Sequence, residues 1–514
     1  MKINTRSMLY GAFILASANV VVRAMGFIYQ IILSRLLGPE GMGIYQLVLP
    51  PYSIALALTA SGIPVAVSRL VASRNAIGQH NEAKKFVSAA IGIVSSLGIL
   101  ISFLMIVGSQ WLSYSVLNDP RTRLPLIILF PCVIITSTGA VFKSYFYGIK
   151  NTHYPALAEI IEQIVRIAMV VLLLFWIDPG SYETATIFIV LGIVAGELSS
   201  LLYLHTNYYN KTKSFSNEPV SASISSRVAN IASIAVPVTF TRLALTTLNS
   251  VNSILIPQRL MASGMTNSQA VSLFGIVSGM VLPLLYMPFT VTNALYTVII
   301  PHLSEDLATS NWTAIRTNVS RAIRLTATFA FPACALLLSL AHPIGLALYK
   351  QPQVGQFLIP LTWCMVFHAL QHTLSAILNG LGKQKQAALY TTIGGIIQIL
   401  CTYFLVAQPE FGIYGFIIGF NLRSTFAFLL SFIHVIKLTK LKIKWAEWFL
   451  KPGFAAIFVA SFSKYSFNQL TAHTVPMAVS LILSLLTGGI TFLTVLYCVD
   501  GIPRINKKTP LTFC

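Results

Sequence analysis

Long apolar stretches separated by short polar connections recur along the whole chain of 514 residues. Hydrophobic residues make up 55% of the sequence and charged residues 9%, and the mean hydropathy is +0.76. One bilayer crossing needs roughly 20 apolar residues, and at that length the sequence holds about fourteen helices. The sequence therefore predicts an all-α polytopic membrane protein with no large soluble domain that could host an enzyme.

The order of these segments predicts two pseudo-symmetric lobes of six helices each, plus two C-terminal helices. Residues 148–167 and 380–399 share six identities at a constant separation of 232 positions, which indicates an internal repeat. An even number of helices per half makes the repeats parallel, with a site expected at their interface. The predicted bounds are an N-terminal lobe at 1–206, a cytoplasmic linker at 207–227, a C-terminal lobe at 228–436, and a basic loop, two helices and a cytoplasmic tail at 437–514.

The basic residues predict the orientation of the chain. Of the 34 Lys and Arg residues, 24 fall in the tails and the predicted inner loops, and 6 fall in the outer loops. This bias predicts that both termini are cytoplasmic and that the protein lies in the cell membrane. The formal charge of +20 does not indicate nucleic-acid binding, because the basic residues form no stripe or recognition motif.

Four arginines lie near the middle of apolar stretches: Arg23, Arg166, Arg242 and Arg423. A guanidinium at that depth costs at least ~2.5 kcal/mol unless it faces water or a partner. The leading hypothesis is therefore an inward-facing cationic cavity that binds an anionic ligand. Asn19 and Gln30 accompany Arg23 along its helix, and Asn249 follows Arg242 on one helical face. These polar residues either line the cavity or form hydrogen bonds between helices.

The acidic residues allow two interpretations. Glu162 and Arg166 form an i, i+4 pair in the favourable order, which either neutralises itself or belongs to a transport pathway. Glu197 is a candidate for coupling to a cation or proton, although an acid near the interface commonly snorkels or pairs. His368 and His372 are better explained by packing than by metal binding, since no further ligand accompanies them. No metal site and no cofactor are predicted.

Several segments resemble a known family. VVRAMGFIYQIILSRLLGPEGMGIYQL, EQIVR (162–166), ILIPQRL (254–260) and SGMVLPLLYMPFTVTNALYTVIIPHLSE (278–305) resemble, in the same order, the polysaccharide transporters of the multidrug/oligosaccharidyl-lipid/polysaccharide exporter superfamily. The resemblance covers essentially the whole chain and is strongest to the sporulation branch, which is related to lipid II flippases.

The resemblance implies two lobes that rock between inward- and outward-open states. It also implies a substrate, an undecaprenyl-diphosphate-linked saccharide such as a peptidoglycan precursor for the spore cortex. Arg23 stands where lipid II flippases carry a first-helix arginine. Their charged residues in the second and eighth helices have no charged equivalents here, so lipid II itself is left open as the substrate.

Two alternatives accompany this interpretation. A cation- or proton-coupled multidrug exporter would share the fold, but it would favour acidic residues in the cavity. A non-transporting scaffold for envelope synthesis would bind other envelope proteins instead of moving a lipid. The sequence does not determine the oligomeric state.

Overall fold

The computed structural model describes residues 5–213 and 223–498, and it describes their side chains except at 5–17, 291 and 293–298. All regular elements in these ranges are helical. Of the predicted linker 207–227, residues 214–222 lie outside the described ranges, and the predicted tail after residue 498 lies outside them as well.

The first half of the chain contains eight α-helices. They are α1 (Thr5–Ala60), α2 (Gly62–Ala76), α3 (His80–Val107), α4 (Ser109–Trp111), α5 (Arg123–Leu129), α6 (Cys132–Gly148), α7 (His153–Trp176) and α8 (Tyr182–Thr212). A π-helical segment, Leu112–Val116, and a 3-10 turn, Pro120–Thr122, connect α4 to α5. α8 therefore runs six residues into the segment that the sequence assigns to the linker.

The second half contains twelve α-helices. They are α9 (Ile224–Ala262), α10 (Asn267–Ile276), α11 (Leu282–Tyr286), α12 (Phe289–Ala308), α13 (Trp312–Ser339), α14 (Ala341–Ile344), α15 (Pro352–Thr362), α16 (Met365–Gly380), α17 (Gln384–Leu405), α18 (Ile413–Thr439), α19 (Lys451–Ala472) and α20 (Met477–Cys498). π-helical segments occur at Val277–Val281, Gly345–Tyr349 and Ala446–Leu450.

Local sequence explains several of the helix starts. Thr266 and Gln269 form a capping box at α10, in which each side chain accepts a hydrogen bond from the other residue's backbone N–H. The Ser181 hydroxyl accepts a hydrogen bond from the Thr184 N–H at 3.2 Å and so caps α8. Pro352 stands at the first position of α15, where its missing N–H leaves no hydrogen bond unmade.

The backbone repeats with the separation that the sequence predicts. Left-handed residues recur 232 positions apart at four turns, Gly78 and Ser310, Asn118 and Lys350, Lys150 and Gly382, and Gly180 and Gly412. Two broken helix pairs also correspond, since α5 with α6 bends by 42° and α15 with α16 by 55°. The two halves therefore share their chain path as well as the short identity between 148–167 and 380–399.

A close helix crossing is repeated in the same way. A Cβ atom on Gly148 would lie 2.9 Å from the Ser68 carbonyl oxygen, and one on Gly380 would lie 3.0 Å from the Ile300 carbonyl oxygen. Ser68 and Ile300 are again 232 positions apart. Only glycine lets the two backbones approach this closely, so each half uses it at the same crossing.

Nine described helices are long and apolar enough to cross a membrane, or up to eleven if each bent pair forms one span. The prediction of fourteen spans is therefore not confirmed. One of the nine spans, Ala18–Ala76, covers 59 residues, about three times what one crossing needs, and it contains Gly38 at φ 67°. α7 and α19 are of similar length to the other spans, but they are not among the nine, and α7 carries Glu159, Glu162 and Arg166.

The chain forms two compact units. Unit 1 comprises the chain up to Tyr29 together with Glu40–Gln258, and unit 2 comprises Gln30–Pro39 together with the chain from Arg259 onward. The sequence assigns 228–256 to the C-terminal lobe, whereas its contacts place it in unit 1. Ile231 and Ala235 of α9 pack in the core that α2, α3, α6 and α8 form, which explains this assignment. The boundaries of the two six-helix lobes and of the linker follow from the sequence repeat, and they stay a prediction.

Two polar side chains fix helix ends on π-helical segments. In unit 2, Arg35 Nε donates a hydrogen bond to the Leu348 carbonyl oxygen at 2.7 Å. In unit 1, Gln258 Nε2 donates to the Val116 carbonyl oxygen. Val116 and Leu348 are 232 positions apart. The last carbonyl groups of a helix have no hydrogen-bond donor within that helix. In both units, the carbonyl at the equivalent position accepts a hydrogen bond from a side chain of a long helix.

The last two helices belong to unit 2. Ala455 and Val459 of α19 and Phe492 of α20 form an apolar cluster with Ala335 of α13. The Trp448 indole N–H donates to the Ser320 hydroxyl at 3.2 Å at the start of this contact. The predicted appendage therefore packs along α13.

Candidate functional site

Two of the four arginines within apolar stretches are exposed and have no polar partner among the described residues. Arg23 on α1 and Arg242 on α9 both belong to unit 1. Neither guanidinium makes a hydrogen bond or ion pair with any residue that the structure describes. Asn19, one turn before Arg23, is exposed as well. Since hydrocarbon cannot solvate a guanidinium, this arrangement requires water or an anionic group beside both side chains.

The other polar residues of these helices have structural contacts nearby. Gln30 Nε2 donates to the Gly279 carbonyl oxygen at 2.9 Å, at the π-helical segment Val277–Val281. Asn249 is exposed, and the adjacent Ser250 hydroxyl donates to the Pro50 carbonyl oxygen at 3.3 Å. The hydrogen bond of Gln30 favours the helix-packing interpretation for that residue.

Arg166 belongs to an ion-pair network between α6 and α7. Its Nη2 lies 2.6 Å from Glu162 Oε1, and its Nη1 donates to Gln163 Oε1 at 3.3 Å. Lys143 Nζ lies 3.5 Å from Glu162 Oε2 and 4.0 Å from Glu159 Oε1. Two carboxylates and two cationic groups thus balance one another, and the observed contacts support self-neutralisation of the predicted pair.

Lys143 and Glu159 are not among the site residues predicted from the sequence, although the short turn between α6 and α7 indicates that they lie close together. Only residues 149–152 separate α6 from α7, so the two helices form an antiparallel hairpin. Lys143 precedes that turn by about as many residues as Glu159 and Glu162 follow it. A hairpin assignment would therefore have placed the lysine opposite the two acids.

Glu197 lies beside this network because α8 packs closely on α7. A Cβ atom on Gly196 would lie 2.7 Å from the Glu162 carbonyl oxygen, and Gly192 faces Val170 one turn away. Gly192 and Gly196 form the G-x-x-x-G spacing that allows close helix contact in membranes. Glu197 interacts electrostatically with Glu162, Lys143 and Arg166. It therefore adds a third acid to the cluster.

Arg423 lies in unit 2, between α17 and α18. Its Nη1 donates to Gln398 Oε1 at 2.9 Å, and its carbonyl oxygen would lie 2.9 Å from a Cβ atom on Gly394. The structure thus places Arg23, Arg166 and Arg242 in unit 1 and Arg423 in unit 2. The convergence of Arg23 and Arg242 on one cavity remains a prediction.

His368 and His372 form part of an aromatic cluster in unit 2. His368 Nδ1 lies 3.2 Å from the Ser424 hydroxyl, and its ring lies 5.0 Å from that of His372. Within the described ranges, no group of three or more His, Cys, Asp or Glu side chains could hold a metal ion. The contacts of His368 agree with a packing role.

The apolar spans and the helical repeats define a multi-pass membrane protein. Its fold is that of a transporter, since 95% of the chain aligns with 98% of a solved structure of the lipid II flippase MurJ in an inward closed conformation, with a TM-score of 0.69 and 16% sequence identity. The family model described as "Polysaccharide biosynthesis protein" matches residues 8–307, and the chain belongs to that family. The MatE family model also matches, at residues 244–404.

Two relatives from Bacillus subtilis (strain 168) align along most of the chain. Stage V sporulation protein B is 27% identical over 479 residues, covering 93% of this chain and 92% of the relative. Lipid II flippase MurJ from the same strain is 22% identical over 464 residues, covering 85% of each chain. The resemblance found in the sequence is thereby confirmed.

Proposed function

We propose that this protein is a flippase that moves an undecaprenyl-diphosphate-linked saccharide, a peptidoglycan precursor, across the cell membrane by alternating access. The observation that carries the proposal is the pair of exposed arginines, Arg23 and Arg242, on apolar helices of unit 1. A diphosphate carries the negative charge and the acceptor oxygens that guanidinium groups bind in bidentate geometry. Membership in a polysaccharide biosynthesis family and relatives named for sporulation and lipid II flipping support this substrate class.

The proposed topology places both termini in the cytoplasm, and its support is the excess of basic residues in the predicted inner loops. The substrate would bind Arg23 and Arg242 through its diphosphate. In this proposal Glu162 and Arg166 mainly stabilise the helix pair, and Glu197 is the residue that would couple transport to an ion.

A flipping assay with purified protein in liposomes tests this proposal. Fluorescent lipid II should reach the outer leaflet faster than in protein-free vesicles. Arg23→Ala and Arg242→Ala should each reduce the rate at least tenfold, because each loses a charge-assisted contact of about 1.5–3 kcal/mol. Arg23→Lys should be intermediate, because an ammonium keeps the charge without the planar fork.

Arg69→Ala is the matched control, since Arg69 is also an exposed arginine of unit 1, lies at the middle of α2 and is not one of the four arginines of the predicted cavity. Equal activity of the wild type, Arg23→Ala and Arg242→Ala would contradict the cationic site. It would favour the scaffold, in which envelope-synthesis proteins and not a lipid are the partners.

A multidrug exporter is the second candidate, because the MatE model matches residues 244–404. Such an exporter would lower the accumulation of cationic dyes in cells, and that activity would not depend on Arg23 or Arg242. Dye export without lipid transport would favour this alternative.

A further inference from the structure

Unit 2 contains a buried aromatic cluster centred on His368. The rings of Phe289 and Phe420 lie 5.2 Å and 5.6 Å from the His368 ring, and Ser424 fixes its Nδ1 atom at 3.2 Å. Phe289, Phe420 and His368 are buried, with 8% exposure or less. The cluster joins α12, α16 and α18, so its position within unit 2 is defined by three helices.

Two exposed side chains lie on this cluster. The Tyr286 ring is 5.6 Å from that of His368, and the residue is 39% exposed. The His372 ring is 5.0 Å from that of His368, and the residue is also exposed. Arg423 lies on α18 within one turn of Phe420 and next to Ser424, and both of these residues contact His368. We call Tyr286, His372 and Arg423 the unit 2 polar surface.

This surface is unsuited to contact with lipid tails. His372 lies within the bent pair α15 and α16, and Arg423 lies within the span Ile413–Thr439, well away from either end. The exposed imidazole of His372 is costly in hydrocarbon at that depth, so it faces water or a polar ligand. Arg423 is half-buried, and its Nη1 donates to Gln398 Oε1. The exposed positions elsewhere on α18, such as Phe426 and Leu429, are apolar and are suited to lipid.

We infer that the unit 2 polar surface binds the saccharide part of the transported lipid, which rests on the flippase function proposed above. A pyranose presents a face of C–H groups that packs on an aromatic ring, and Tyr286 offers such a ring at an exposed position. Hydroxyl and amide groups on the sugar need neutral and charged hydrogen-bond partners, which His372 and Arg423 provide. Aromatic walls with a few placed polar groups are the usual composition of a small-ligand site.

The sugar needs a ring and mixed donors, and the unit 2 polar surface supplies both. The bare lipid diphosphate has no sugar to place on this surface. Loss of the unit 2 polar surface should therefore weaken binding of a saccharide-bearing lipid and leave binding of the bare lipid diphosphate intact.

The test compares two probes, lipid II and undecaprenyl diphosphate, by their dissociation constants for purified protein in nanodiscs. Tyr286→Leu should weaken lipid II binding about tenfold, the equivalent of about 1.4 kcal/mol, and change undecaprenyl diphosphate binding less than about twofold. Tyr286→Phe keeps the ring and should bind like the wild type. His372→Ala should weaken lipid II binding several-fold. Tyr465→Leu is the matched control, because Tyr465 is a 63% exposed tyrosine on α19.

A second measurement does not depend on the folding of Tyr286→Leu. Met287, next to Tyr286, is 53% exposed, and Met287→Cys can be alkylated and quantified by mass spectrometry. Lipid II should slow this alkylation, and undecaprenyl diphosphate should not.

The outcomes separate the two proposals. Wild-type affinity of Tyr286→Leu and His372→Ala for lipid II, or equal protection of position 287 by both probes, would overturn the saccharide surface alone. Equal loss of both probes in folded variants would overturn it in favour of a diphosphate site. A wild-type protein that binds neither probe would overturn the flippase proposal and the inference with it.

Discussion

The charge balance of the α6–α7 network allows a quantitative prediction. Lys143 and Arg166 face Glu159 and Glu162, and Glu197 is unchanged in every variant, so Arg166→Gln removes one positive charge from the cluster and Glu162→Gln removes one negative charge. The double variant restores the net charge of the wild type, and Lys143 still faces Glu159 at 4.0 Å. Each single variant should therefore be less stable than the double variant.

The expected size of the effect follows from burial and from the shared partner. The Arg166 and Glu162 side chains are 20% and 14% exposed, so they are mostly removed from solvent. Breaking a buried pair costs about 3–5 kcal/mol. Because Lys143 remains 3.5 Å from Glu162 and compensates part of its charge, we expect about 2–3 kcal/mol for Arg166→Gln, at or just below the lower limit of that range. A coupling energy of about 3 kcal/mol, at the upper end of the usual range, should therefore appear in the double-mutant cycle.

Thermal stability followed by fluorescence-detected size-exclusion chromatography measures these differences in detergent. Arg166→Gln and Glu162→Gln should each lower the midpoint by roughly 5 °C or more, and the double variant should recover at least half of the loss. Arg69→Gln, at an exposed position, is the control for loss of a positive charge. A double variant whose loss equals the sum of the single losses would refute the coupling, and the close contacts would then be energetically independent.

Two further predictions concern a close helix contact and the hydrogen bonds at two helix ends. Gly196→Ala should lower stability by about 1–3 kcal/mol, because its Cβ would lie 2.7 Å from the Glu162 carbonyl oxygen. Gly92→Ala is its control, since no atom would lie within 4 Å of its Cβ and the change should be neutral or stabilising. Arg35→Ala and Gln258→Ala should each lower the thermal midpoint, because each removes a side-chain donor to a helix-end carbonyl. Arg35→Ala should lower it more, since a hydrogen bond from a charged donor contributes about 1.5–3 kcal/mol to stability and one from a neutral donor about 0.5–1.5 kcal/mol. Unchanged midpoints would show that these helix ends are held by apolar packing alone.

The apolar stretches and the repeat could be predicted from the sequence because both are local properties of the chain. Hydropathy locates most of the long helices, and the identities around Gly148 and Gly380 reveal a separation that the backbone reproduces at four turns. The number of spans was harder to predict. α1 continues through Gly38 although Arg35 and Glu40 interrupt the apolar sequence there, and the charges of α7 lower its hydropathy, so the number of elements differs from the number of apolar stretches at these places.

The assignment of helices to compact units could not be predicted, because it depends on contacts between distant segments. Nothing in the sequence near Ile231 and Ala235 indicates that they pack with α2 and α3. In the same way, the sequence assigns Arg35 to an outer loop without a specific role. In the structure, its side chain donates a hydrogen bond to the Leu348 carbonyl oxygen, more than 300 positions away in the chain. Arg423 is among the predicted site residues, but Tyr286 was missed for a related reason, since it is one of many aromatic residues until the structure places its ring 5.6 Å from that of His368.

The repeat also shows how the two units came to differ chemically on one backbone plan. At the common separation of 232 positions, Arg166 corresponds to Gln398 and Glu162 to Gly394. In unit 1, α7 therefore carries both the guanidinium and the acid that neutralises it. In unit 2, α17 carries the side-chain amide of Gln398, and the guanidinium that donates to it belongs to Arg423 on α18. Each unit thus holds one arginine between the same two helices, but only in unit 1 is it neutralised by an acid on its own helix. The repeat therefore keeps a guanidinium at this helix pair in both units, while its partner on the first helix of the pair changes from the Glu162 carboxylate to the Gln398 amide.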